Sequence, residues 1–78
     1  MSDDTFQRLT RCAVEVLVVE PDQITLEARF GDDLDADSLD LVELIMALEE
    51  EFDIKVDESE LEGIETVGQA VELVRSKR

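Results

Sequence analysis

Leu41, Leu44, Ile45, Leu48 and Phe52 recur at the spacing of one buried face of an α-helix, a pattern no β-strand can place on a single side. Asp37 stands just before the run as an N-cap, and Asp40 follows three residues later in a capping-box relation. Together they predict a helix over Ser38–Phe52. The rest of the 78-residue chain has to fold around it. Three Gly, one Pro and no strand-length alternation leave helices as the material for doing so.

Three more helical segments are predicted. The first spans roughly Asp4 to Val18, with Phe6, Leu9, Ala13, Val16 and Leu17 at helical spacing; Ser2, Asp3 and Asp4 are its capping and N-terminal acidic residues. Val18, Val19 and Pro21 close it. A connection from about Glu20 to Ala36 is long enough to contain a turn of its own, anchored by Ile24, Leu26, Phe30 and Leu34. A short helix follows over Glu58–Glu62, capped by Asp57 and ended by Gly63 in the left-handed conformation. The last starts at Thr66, whose T-x-x-Q box with Gln69 precedes the apolar side formed by Val67, Ala70, Val71, Leu73 and Val74. Arg75, Lys77 and Arg78 suit its C-terminal end. The expected fold is all-α: a single domain over 1–78, a small four-helix bundle with a long loop between helices 1 and 2 and a short third helix. A chain this short buries only about 60% of its unfolded surface, so a few aliphatic side chains must form the core.

Charge narrows the function. Against 22 acidic side chains stand 7 basic ones, for a net charge of -15. Such a surface repels nucleic-acid phosphates and anionic membranes and attracts basic protein surfaces. From Asp32 to Asp53 there is no basic residue at all. On a helical wheel Asp40, Glu43, Ala47, Glu50 and Glu51 fall opposite the core face, and Leu39 and Met46 fall beside Glu43 and Glu50. One reading is a solvated face, with Leu39 and Met46 packed under the long loop. The other is a docking surface in which carboxylates steer encounter and apolar groups supply contact.

Several chemistries are excluded. No His exists, so a Ser–His nucleophile cannot be assembled, and one Cys without His argues against a structural or catalytic zinc site. Cys12 has no partner for an internal disulfide and reads as a small core residue. Asp33, Asp35 and Asp37 match positions 1, 3 and 5 of an EF-hand loop, but Ser38 and Leu44 stand where that loop needs Gly and Glu. No apolar segment is long enough to span a membrane and no signal peptide is apparent, so the expected compartment is the cytoplasm. Ser38 heads the predicted helix, where a negatively charged group on its hydroxyl would meet unpaired backbone N–H groups and the positive end of the dipole.

The run Asp33-Leu34-Asp35-Ala36-Asp37-Ser38-Leu39-Asp40 closely resembles the phosphopantetheine attachment motif of acyl carrier proteins. Its continuation through Val42-Glu43-Leu44 to Met46-Ala47-Leu48-Glu49-Glu50-Glu51-Phe52 resembles that family's second helix, and the order of the remaining helices agrees. The resemblance implies a carrier without catalytic residues. A phosphopantetheinyl transferase would move 4'-phosphopantetheine from coenzyme A to the Ser38 hydroxyl, and the arm's thiol would hold acyl chains as thioesters. Asp37, Leu39, Asp40, Glu43, Met46, Glu49 and Glu50 would face basic patches on enzymes of fatty-acid or polyketide synthesis. Phe30, Leu44, Leu48, Leu61, Ile64, Ala70 and Leu73 would line a shelter for the acyl chain, or serve simply as core. The resemblance further implies a monomer with no nucleic-acid or membrane partner and no metal. One position departs from it: Asp35 stands where the family usually has Gly.

The acidic second helix and the A-L-E-E-E-F run favour fatty acid synthesis over polyketide synthesis. A different class, an unmodified acidic interaction module, needs the charge but not Asp37-Ser38-Leu39 at a helix start. Independently of function, this much like charge opposes compaction. Added salt or divalent cations are expected to raise the melting temperature; a thermal melt that stays flat or falls with salt contradicts this reading.

Overall fold

The computed structural model describes residues 4–78. Within them lie α1 (Thr5–Leu17), α2 (Ser38–Phe52), α3 (Glu58–Glu62) and α4 (Val67–Lys77), with one 3-10 turn at Pro21–Gln23 in the first connection. The expected all-helical bundle with a long first loop and a short third helix is the architecture found.

The core is built on α2. Leu44 and Leu48 are completely buried, Ile45 and Phe52 nearly so, and Leu41 is only half-buried at the rim. Leu9 and Ala13 of α1 and Val67, Ala70, Val71 and Val74 of α4 complete the same cluster. Leu73, expected beside them, is half-buried and packs against its edge. Burying a Leu or Val side chain fully contributes about 1.5–3 kcal/mol, so this handful of aliphatic groups supplies much of the driving force.

The helix ends differ in how they are held. Thr66 and Gln69 form the expected box at α4: Gln69 N–H donates to Thr66 Oγ1 at 3.2 Å and Thr66 N–H to Gln69 Oε1 at 3.1 Å. At α1, Ser2 and Asp3 lie outside the described residues. Asp4 occupies the N-cap but makes no side-chain capping bond. Its carboxylate instead meets Arg78 at 3.0 Å and Arg8 at 3.7 Å. The Arg78 hydrogen bond, above all, holds the Asp4 carboxyl below its usual range. Asp57 likewise precedes α3 without a side-chain capping bond. Gly63 departs from expectation too: it has φ -87° and ψ -2°. The last turn of α3 closes through Gly63 N–H to the Glu60 carbonyl at 3.3 Å, an i to i-3 bond that requires no left-handed residue.

The long loop is fastened to the start of α4 by its backbone. Phe30 N–H donates to the Glu65 carbonyl at 3.0 Å, Val67 N–H to Ala28 at 3.0 Å and Gly68 N–H to Leu26 at 2.9 Å. A Cβ at position 68 would lie 2.9 Å from the Leu26 carbonyl oxygen, so this close approach depends on glycine. Ile24, Phe30 and Leu34 anchor the loop in the core, and Ala28 joins them. Leu26 does not: it is 53% exposed. A turn closed by Ala28 N–H to the Thr25 carbonyl at 3.1 Å puts Leu26 at its tip, so its carbonyl is used and its side chain points outward.

At the C-terminal end of α2, two guanidinium groups approach the Phe52 ring, Arg8 at 4.5 Å and Arg78 at 5.0 Å from its centroid. Arg8 also donates from Nε to Glu51 Oε2 and from Nη2 to the Glu51 carbonyl, both at 2.7 Å. Glu51, expected on the outer face of α2, is therefore turned toward α1 and half-buried. Arg78 Nη1 donates to the buried Thr5 hydroxyl at 2.8 Å.

Among the described residues, three other than glycine have positive φ: Val18 at 54°, Asp35 at 54° and Asp53 at 55°. Asp tolerates this region; a β-branched residue does not. Val18 ends α1 in that conformation while 86% exposed, so its side chain gains almost nothing to offset the strain. Val18→Asn is expected to stabilise the fold by about 1 kcal/mol. In a domain this size that corresponds to roughly 4–8 °C in melting temperature, readable by thermal unfolding followed by circular dichroism.

Candidate functional site

The head of α2 is set by reciprocal hydrogen bonds. Asp40 N–H donates to Asp37 Oδ1 at 2.9 Å, and Asp37 N–H donates to Asp40 Oδ2 at 3.3 Å. Asp37 has extended backbone, φ -91° and ψ -176°, so Ser38 is the first helical residue. Ser38 is exposed. Its Oγ stands by the N-terminal N–H groups of α2, which have no carbonyl partner within the helix. A negative group joined to that oxygen is stabilised by those donors and by the helix dipole.

Asp35 enters this turn in the left-handed region. The turn around it is closed by Ala36 N–H to the Phe30 carbonyl at 2.8 Å and Leu34 N–H to the Arg29 carbonyl at 3.1 Å. Glycine adopts such a φ without cost, and aspartate is among the few residues that tolerate it, so the departure keeps the turn and adds a carboxylate to it.

Along α2 from Ser38 runs a second apolar stripe on the outer side. Leu39 is 66% exposed, Val42 38% and Met46 57%. Glu43 and Glu50 beside them are exposed, Asp37 is exposed at the head, and Asp40 is half-exposed. The sequence reading of this face omits Val42, although its i+3 relation to Leu39 is the signal that identifies it. The reading includes Glu49, which the structure turns away: Glu49 Oε2 accepts from Val56 N–H at 2.8 Å, tying the loop after α2 and leaving the residue half-buried.

The residues expected to shelter an acyl chain do not come together around one space. Leu44, Leu48 and Ala70 are closed core with no exposed surface, and Leu61 and Leu73 are half-buried at its edge. Phe30 and Ile64 alone among the seven line an open pocket, of about 410 Å3, and its wall includes Ser38. The sequence gives no sign of this pocket, because its walls come from the first loop, the head of α2 and the loop before α4.

Cys12 is half-buried, and burial pushes its thiol pKa up, so it is a poor nucleophile near neutral pH. No group of three Cys, Asp or Glu among the described residues could hold a metal ion. No helix among them is long and apolar enough to cross a membrane. What the site offers is one accessible hydroxyl at a helix head, with a pocket of mixed polarity alongside. This fits a covalently attached phosphodiester.

Comparison with known proteins agrees with that chemistry. Residues 7–74 match the family described as phosphopantetheine attachment site. The curated acyl carrier protein of Petrotoga mobilis (strain DSM 10674 / SJ95) is 48% identical over 75 residues, which cover 96% of this chain and 88% of the relative. A match across nearly the whole fold, helix head and loops included, makes this chain a member of the phosphopantetheine-bearing acyl carrier protein family, a carrier and not an enzyme.

Proposed function

We propose that the chain carries acyl groups for fatty acid synthesis by separate enzymes in the cytoplasm, on a phosphopantetheine arm joined to Ser38. The observation that carries the proposal is the exposed Ser38 hydroxyl as the first residue of a capped acidic helix. When bound, the arm supplies a terminal thiol that holds acyl groups as thioesters. The protein's own part is presentation. Asp37 and Asp40 hold the helix start, so a transferase meets the Ser38 oxygen at a fixed place. Leu39, Val42 and Met46 supply the contact area of a docking face. Glu43 and Glu50, with Asp37 and Asp40 at its head, steer it toward basic patches on the transferase and synthesis enzymes. Tethering keeps the cargo at high effective concentration near whichever enzyme is docked. The strongly acidic outer face of α2 supports the fatty-acid assignment.

Incubation with coenzyme A and a phosphopantetheinyl transferase, followed by intact mass, tests the attachment. The wild type is expected to gain one arm and Ser38→Ala none; no gain with several competent transferases overturns the proposal. Elongation of the loaded protein by dissociated fatty-acid enzymes tests the pathway, and turnover only with polyketide condensing enzymes reassigns it.

The docking face has its own signature. Glu43→Lys is expected to lower kcat/KM with a partner enzyme about tenfold at low ionic strength, with the loss shrinking as salt is added. An unchanged kcat/KM at low salt removes Glu43 from the interface.

A further inference from the structure

The pocket beside Ser38 has an uneven lining. Phe30, Leu41 and Ile64 give it an apolar wall, Glu65 and Asp32 lie among its polar groups, and Arg29 is the one cation among the described residues that lines it. The acidic stretch from Asp32 to Asp53 supplies no other. Arg29 is held firmly at its root and loosely at its head. Its N–H donates to Asp33 Oδ2 at 2.8 Å, and its backbone forms an antiparallel bridge with Thr66. Its guanidinium meets Asp32 at 3.4 Å, with both side chains mostly exposed. An exposed pair of this kind is weak and exchanges readily.

We infer that this pocket seats the first segment of the arm after its attachment to Ser38, and that Arg29 leaves Asp32 to pair with the phosphodiester. The inference rests on Ser38 as the attachment point. Attachment places a new negative charge among Asp35, Asp37 and Asp40, which raises the gain from a nearby cation. Arg29 can meet phosphate oxygens with two parallel N–H donors, a better match than the single contact it makes with Asp32. Beyond the phosphate, the arm's branched dimethyl carbon suits the wall of Phe30, Leu41 and Ile64. Its first amide has a polar rim to face at Glu65. Arg29 is thus a positioning residue: it holds the base of the arm against the protein and takes no part in bond chemistry.

The test uses the loaded protein, with loading verified by intact mass. Nuclear Overhauser contacts between the arm's methyl groups and those of Leu41 and Ile64 are expected in the wild type. In Arg29→Gln they should weaken by about threefold or more, with the 31P resonance moving toward its position in the urea-unfolded protein; Arg29→Lys should restore part of both. Lys55→Gln, the same charge change at an exposed residue outside the pocket, should alter neither. Amide dispersion in the 1H–15N spectrum checks that each variant is folded. A loaded wild type with no contacts into the pocket overturns the inference while leaving the carrier function intact. Contacts and 31P shift unchanged in Arg29→Gln overturn the role of Arg29. Absence of any mass gain overturns instead the reading of Ser38 on which the inference rests.

Discussion

The paired hydrogen bonds between Asp37 and Asp40 fix the residue at which α2 begins, and the placement of the serine follows from that choice. Beginning one residue later would leave Ser38 as a cap, its hydroxyl bonded back to the helix. Beginning earlier would move Ser38 into the helix, away from the first N–H groups that lack a carbonyl partner. Two carboxylates also complement the positive end of the helix dipole, so the groups that mark the boundary favour it electrostatically as well. Local chemistry at four consecutive residues thus decides whether the hydroxyl is available to another protein.

Charge is distributed unequally along the same helix. The described ion pairs engage Arg8 with Glu51 and Asp4, Arg78 with Asp4, Lys77 with Glu60, Arg75 with Glu72 and Arg29 with Asp32. None of them involves Glu43 or Glu50. The basic side chains that knit the bundle cluster around the ends of α1, α2 and α4, and the outer face of α2 keeps its negative field. A stable end and an electrostatically unsatisfied face are therefore two results of one uneven allotment of few cations.

Much of this was readable from the chain because independent signals agreed. For α2 and α4, capping box and apolar period point to the same start, and both helices begin where those signals put them. Errors arose where a single local signal stood alone. Gly63 allows a left-handed end but does not demand one, and a tighter last turn removed the need. Leu26 is apolar, but a turn around it decided its direction. The wheel put Glu51, and the family resemblance put Glu49, on the outer face, but Arg8 and Val56 lie where they draw those side chains inward. The pocket wall joining Arg29 and Phe30 to Ile64 and Glu65 depends on backbone pairing between segments far apart in sequence, which no local pattern encodes.

The contact of Asp4 with Arg78 brings the two ends of the described chain together beside Phe52, at the far end of α2 from Ser38. At 1.5 Å per residue the length of α2 separates them by about 20 Å. A fluorophore, an affinity handle or a solid support joined after Arg78 therefore departs on the side remote from the serine. Immobilised that way, the molecules present their attachment ends outward in a common orientation.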